Sequence, residues 1–138
     1  MSAQRLDALL QALQRGVDVG LLQTRAGAIA FRHDLIGEAV LDATVPHVAK
    51  AMHRRAAAAL TPGTDDARRG AHLAAADEHD TAAQVLAAAA LSEVRRHALL
   101  SAEHLARQAI DSAATAGARA EASDALAVHL EHRLRDYQ

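Results

Sequence analysis

Alanine dominates this chain, and that restricts it to one kind of interior. Thirty-seven of its 138 residues are alanine, Phe31 is the only phenylalanine, Tyr137 the only tyrosine, and tryptophan is absent. Alanine buries little area per residue. It is also the best helix former, and it lets helix axes approach closely. A bulky hydrophobic centre is out of reach for this composition. The expectation is a mainly α protein of closely packed helices, marginally stable when isolated.

Charge and composition exclude several classes. The formal charge is −2, from fifteen basic and seventeen acidic residues. Residues 1–60 carry seven basic and five acidic side chains, and residues 61–138 carry eight and twelve. Neither part has the dense basic face of a nucleic-acid binder. The absence of cysteine excludes disulfides, thiol catalysis and thiolate metal sites. No long apolar run suggests a membrane span, and the N-terminus lacks a signal-peptide layout, so a cytoplasmic location is expected.

Periodicity sets the order of elements. Leu6, Leu9, Leu10, Leu13 and Val17 form one helical stripe, and Gly16 and Gly20 are expected to end that helix. Two short apolar runs, Leu21–Thr24 and Ala28–Arg32, flank a break at Arg25-Ala26-Gly27 and read as a β-hairpin. A helix over 34–43 follows, with Leu35, Ile36, Ala39 and Val40 as its apolar face. Pro46 suits the first turn of the next helix, which carries Val48, Met52, Ala56 and Leu60. Thr61-Pro62-Gly63-Thr64 is the clearest break, dividing a winged-helix-like domain, 1–61, from a helical region, 65–138.

Beyond that break the spacing predicts antiparallel helices over about 65–76, 80–96, 98–115 and 119–136. Asp80 and Ser101 are candidate N-caps, and Gly117 is a candidate helix terminator. Glu103 with Arg107, and Glu131 with Arg135, stand at i, i+4 in the favourable orientation. Alanine-rich helix pairs of this length look like tetratricopeptide-type hairpins. The last helix presents Leu126, Leu130, Leu134 and Tyr137 on one side with no following helix to cover them, so self-association or a protein partner is expected.

Little in the chain suggests catalysis or metal binding. Ser92, Ser101, Ser112 and Ser123 lie in helical stretches without a nucleophile elbow. The pairs Asp65-Asp66 and Asp77-Glu78 sit near helix ends, where carboxylates are ordinary. His129 with His132, and His97 with His104, have permissible metal spacings, but nothing completes a tetrahedral set. His53-Arg54-Arg55 reads as a solvated helix face rather than a phosphate contact. The expectation is a protein that is not an enzyme and holds no metal.

An ordered succession of segments carries a family resemblance. It begins with Phe31-Arg32-His33-Asp34-Leu35-Ile36 and Glu38-Ala39-Val40. It continues with Met52-His53-Arg54-Arg55-Ala56-Ala57 leading to Leu60, then Ala71-His72-Leu73 and an alanine-rich helix. Over roughly residues 5–115 this resembles the central part of the large ATP-binding LuxR-type transcriptional regulators of bacteria, relatives of the MalT-like signalling ATPases. The resemblance implies a winged helix followed by helical repeats that receive a signal or partner.

His33-Asp34-Leu35 is also similar to the histidine-aspartate motif of winged helices in that wider class. By that resemblance, His33 senses nucleotide state by donating an imidazole N–H to a phosphate of ADP, and Asp34 starts the helix behind it. Gly37 departs from the family, which commonly has arginine there. The chain also lacks a G-x-x-x-x-G-K-[ST] phosphate loop, and its only lysine, Lys50, precedes Ala51. No cofactor is therefore expected in this chain. ATP or ADP, and the nucleotide-sensing role of His33 and Asp34, belong to a full-length relative with its ATPase domain.

The functional expectation is a non-catalytic regulatory or protein-interaction segment of such a regulator. It would be a fragment, a degenerate reading frame or a trimmed descendant lacking the ATPase core and the C-terminal DNA reader. One alternative is a stand-alone winged-helix DNA-binding regulator. Its recognition helix, 34–43, would bring Asp34, Glu38 and Asp42 and no base toward phosphates, which is repulsive. Another is a homo-oligomeric helical scaffold.

Overall fold

The structure, a computed structural model, describes residues 3–135, excepting the side chains of residues 3 and 132–134. Among these residues it is mainly helical, with seven helices and one two-stranded antiparallel hairpin. It divides into two compact units, Met1–Val45 and Pro46–Gln138. The division precedes the Thr61–Thr64 break, so the helix that starts at Pro46 belongs with the helices after it.

The first unit contains α1 (Ala3–Asp18), β1 (Leu22–Arg25), β2 (Ala28–Phe31) and α2 (Asp34–Ala43). Helix α1 does not end at Gly16. It runs to Asp18, and Gly16 lies inside it under Leu22, where a Cβ would lie 2.6 Å from Leu22 Cδ1. Gly20 closes the helix at φ +78°, with Leu21 N–H donating to Gly16 O and Gly20 N–H to Val17 O, a Schellman turn. The hairpin pairs Leu22 with Phe31 and Arg25 with Ala28. Its two-residue loop, Ala26-Gly27, has positive φ at both positions, as a type I′ turn requires.

The apolar stripes expected to form a core here do not. Leu6, Leu9 and Leu10 of α1 are exposed, Leu35 of α2 is 77 % exposed, and Gly37 is the only residue of the unit described as buried.

The second unit contains α3 (Pro46–Ala59), α4 (Asp66–Ala75), α5 (His79–Arg95), α6 (Leu99–Ser112) and α7 (Ala116–Arg135). Three-residue connections join α4 to α5, α5 to α6 and α6 to α7, so neighbours in sequence turn back on one another. Helix α5 is the hub, packing on α4, α6 and α7, whereas α3 packs on α4. The α4–α5 and α5–α6 turns repeat one geometry. Asp77 and His97 adopt φ +63° and +58°, and the next amides, Glu78 and Ala98, donate to Leu73 O and Glu93 O. Asp and His are among the non-glycine residues that tolerate this region.

The expected terminal residues work differently. Residues Glu78 and Ala98 hold the N-cap positions of α5 and α6 without side-chain capping bonds. Ser101 is an exposed residue inside α6, and Gly117 lies in the first turn of α7 rather than closing a helix. On α3, Val48 and Met52 are exposed, and Ala57 is the buried residue. Leu126 packs against the core and Leu130 is exposed. The Leu134 side chain and Tyr137 lie outside the described residues.

Alanine builds the interior. Of eighteen buried apolar residues described, fourteen are alanine. Leu86 of α5 is the most deeply buried of the three leucines among the other four, 2 % exposed and seated on Gly70 of α4, whose added Cβ would lie 2.4 Å from Leu86 Cγ. This contact generates a paired prediction. Gly70→Ala should destabilise the protein by roughly 1–2 kcal/mol, because overpacking a fixed leucine outweighs the gain in helix propensity. Gly117→Ala meets nothing within 4 Å and should stabilise by roughly 0.5–1 kcal/mol. Urea unfolding of both variants checks the opposite signs.

Candidate functional site

The motif His33-Asp34 lies where β2 hands over to α2. His33 occupies the N-cap position with extended backbone (φ −134°, ψ 140°), and its side chain makes no capping hydrogen bond. Its carbonyl accepts from Ile36 N–H at 3.0 Å, and its imidazole is exposed. Asp34 is the first residue of α2, where a carboxylate interacts favourably with the helix dipole. Gly37 has a packing reason: the Phe31 ring covers it, 3.0 Å from where a Cβ would stand. An arginine there would displace the only phenylalanine. Asp34, Glu38 and Asp42 are all exposed on α2.

In the helical unit, polar groups gather where α3 meets α4 and the α4–α5 turn. Lys50 pairs with Asp77, and Arg54 Nε donates to Glu78 Oε1 at 2.8 Å. Between these helices His53 Nδ1 and His72 Nδ1 stand 2.9 Å apart. Their ring centroids are 5.2 Å apart, longer than the N···N distance by about two ring radii, so the nitrogens face one another. One ring donates N–H and the other accepts. His53 is therefore half-buried and engaged, not part of a solvated face, and Arg54 is neutralised rather than free for phosphate. Burial, then the charges of His53 and Arg68, lower the pKa of His72 below 6.5.

Apolar contact at this seam is small. Ala57, in a cluster with Leu73 and Ala82, is the only buried residue of α3. One buried methyl contributes on the order of 0.8 kcal/mol. Each exposed ion pair adds roughly 0–1 kcal/mol. The histidine bond is comparable to either, so it weighs in whether α3 stays docked.

Asp80 does not cap its own helix. Its Oδ1 accepts from the Ala114 and Thr115 amides at 2.9 Å each, tying the start of α5 to the α6–α7 loop. Backbone hydrogen bonding from Thr115 is the leading cause that holds its pKa below 3.8. Because the folded value is depressed, the stabilisation is present above about pH 3.8 and is lost as pH falls through the folded value. Asp80→Ala should remove that increment, so its melting temperature should converge on the wild type's in stronger acid.

The remaining candidates are scattered. His97 forms a turn and His104 is exposed. The His132 side chain lies outside the described residues. No group of three metal-ligating side chains occurs among the described residues. No helix there is long and apolar enough to cross a membrane. Glu103 and Arg107 make the expected pair at 2.9 Å. An open cleft of about 300 Å³ among α4, α5 and α6 presents His79, Gln108, Asp111 and Ser112 beside Ala71 and Ala74.

One buried group was not legible from spacing. His129 of α7 is fully buried, and neither ring nitrogen has a hydrogen-bond partner among the described residues. Its Nε2 lies 3.6 Å from Glu103 Oε2. Unsatisfied buried polar atoms cost about 1–3 kcal/mol. His129→Leu, similar in volume, should raise stability at neutral pH by about 1–2 kcal/mol, measured by thermal or urea unfolding. A loss of stability would mean that the imidazole interacts favourably in place.

Comparison with family models, with characterised proteins and with solved structures returns no match.

Proposed function

We propose that this chain is a non-catalytic regulatory and protein-interaction segment of an ATP-dependent LuxR-type regulator, with a winged-helix-like unit followed by TPR-like hairpins. The observation that carries the reading is the contrast between its two units. The helical unit buries a core of its own, whereas Leu6, Leu9, Leu10, Leu35 and Leu41 remain exposed in the first. So many exposed leucines in so small a unit favour a surface that another protein covers. An ATPase domain is the cover this reading requires.

Other features support it. The exposed His33 imidazole at the start of α2 suits a group that reads phosphate held by such a domain. The successive helix hairpins and the cleft carrying Gln108, Asp111 and Ser112 suit recognition of a peptide or partner helix. The three exposed acids of α2 weigh against duplex DNA as the ligand. A second copy of the chain is the alternative cover for the exposed leucines, and it would make the mass of the purified chain concentration-dependent.

The deciding experiment is an immunoblot of source-cell lysate with an antibody raised against this chain. A band several times heavier than 14.5 kDa is expected, and His33→Ala in that protein should weaken ADP retention. A band at 14.5 kDa alone would overturn the regulator reading and leave an independent adaptor.

A further inference from the structure

We propose that His53 and His72 form a proton-operated clasp, which holds α3 against α4 while one ring is neutral and releases it when both are charged. The clasp belongs to the helical unit itself and stands whether or not the chain is part of a larger regulator.

The geometry is that of an N–H···N hydrogen bond. With Nδ1 facing Nδ1 at 2.9 Å, the lone pair of one ring points at the proton of the other. A metal ion bound to both nitrogens needs about 2.0–2.1 Å on each side. Such an ion sits off the line between its ligands, where their lone pairs converge, whereas these nitrogens face one another, which suits a proton on the line between them. If both nitrogens carry protons, two donors and two positive charges meet at the same distance. The bond then becomes a repulsion.

Surrounding charges sharpen this response. On α4, Arg68 adds a further positive charge near His72. On α3, Lys50 and Arg54 are engaged by Asp77 and Glu78 of the α4–α5 turn. On α5, Asp80 bonds to the α6–α7 loop, and His79 acts on Asp77 and Asp80. None of these groups supplies a carboxylate to a doubly charged histidine pair. The Lys50 hydrogen bond holds the Asp77 pKa below its ordinary value, so that ion pair survives well below the range in which histidine charges.

The sign follows. The depressed pKa of His72 means that its contribution is complete above about pH 6.5 and is lost as pH falls from there through the folded value. Because α3 docks through a single buried residue, Ala57, against Leu73 and Ala82, loss of the clasp opens α3 before the larger alanine core around α5 responds.

Hydrogen exchange of the full chain at pH 7.5 and 5.5, corrected for intrinsic rates, tests this directly. Residues 47–59 should lose protection relative to α5 by up to about tenfold, the limit for one proton taken up in the opened state over the single pH unit between 6.5 and 5.5. His72→Gln keeps a hydrogen-bonding partner without a titrating charge, so its α3 should show no such pH response. Equal protection of wild-type α3 at both pH values would overturn the clasp. So would parallel loss in α4–α7, or an undiminished pH response in His72→Gln.

Ring-nitrogen NMR of the wild type gives a reading independent of the variant. Two separated protonation steps for the pair support the clasp, and two independent, unlinked titrations contradict it. Zinc added at pH 7.5 should leave α3 exchange unchanged. Zinc-dependent protection that requires both histidines would reassign them as metal ligands.

Discussion

Close approach of backbones along α5 is the constraint on which the helical unit depends. Ala82, Ala83 and Ala90 are fully buried on that helix, and Ala102, Ala106, Ala109 and Ala122 are fully buried on its neighbours. Methyl against methyl brings helix axes together and lets dispersion act between backbones. Leu86 fills what alanine leaves open, and it fits because Gly70 has no side chain. Leu86 on Gly70, with Leu73 beside Ala82, thus sets how α4 meets the hub. With so little apolar area in each contact, specificity falls to the turns and to polar ties such as Asp80 reaching the 114–115 amides.

That economy explains why polar groups matter here more than their number suggests. In a core built on phenylalanine and leucine, a single histidine bond at the edge of one helix would be a small correction. At the α3–α4 seam it acts beside the small cluster of Ala57, Leu73 and Ala82 and two exposed ion pairs. The same thin interior holds the buried His129 without hydrogen-bond partners among the described residues, a local conflict of the kind that recurs where function opposes stability. The two units differ in kind as well. One is closed by its own helices, and the other leaves its leucines exposed. The regulatory reading rests on this difference and on the histidine at the head of α2.

Much of the architecture was legible before any coordinates. Helix-period spacing and alanine content pointed to the four helices after residue 64, because those local signals agree with their packing. Two short apolar runs around the break at Arg25-Ala26-Gly27 pointed to the hairpin. What failed was the inference from stripe to burial. Leu6, Leu9, Leu10, Val48 and Met52 have the right period, yet they are exposed. Periodicity reports which side of a helix is apolar, and not whether anything packs against it. The candidate site divided in the same way. The motif His33-Asp34 was visible as a motif. The pairing of His53 with His72 was not, because the residues are nineteen apart and their meeting depends on how α4 crosses α3.

The sequence by itself determined the helical class, the hairpin, the absence of a thiol or phosphate-loop chemistry, and an interior that must be alanine. These follow from composition and short-range geometry, in which each residue acts on its neighbours within a turn or two. Only the tertiary structure decided that α3 belongs to the helical unit, that Asp80 caps a distant loop, that Gly37 carries the Phe31 ring and that two histidines share one bond. Each of these joins groups distant along the chain. Side chains become partners across such distances only once the backbone has folded and fixed which surfaces meet.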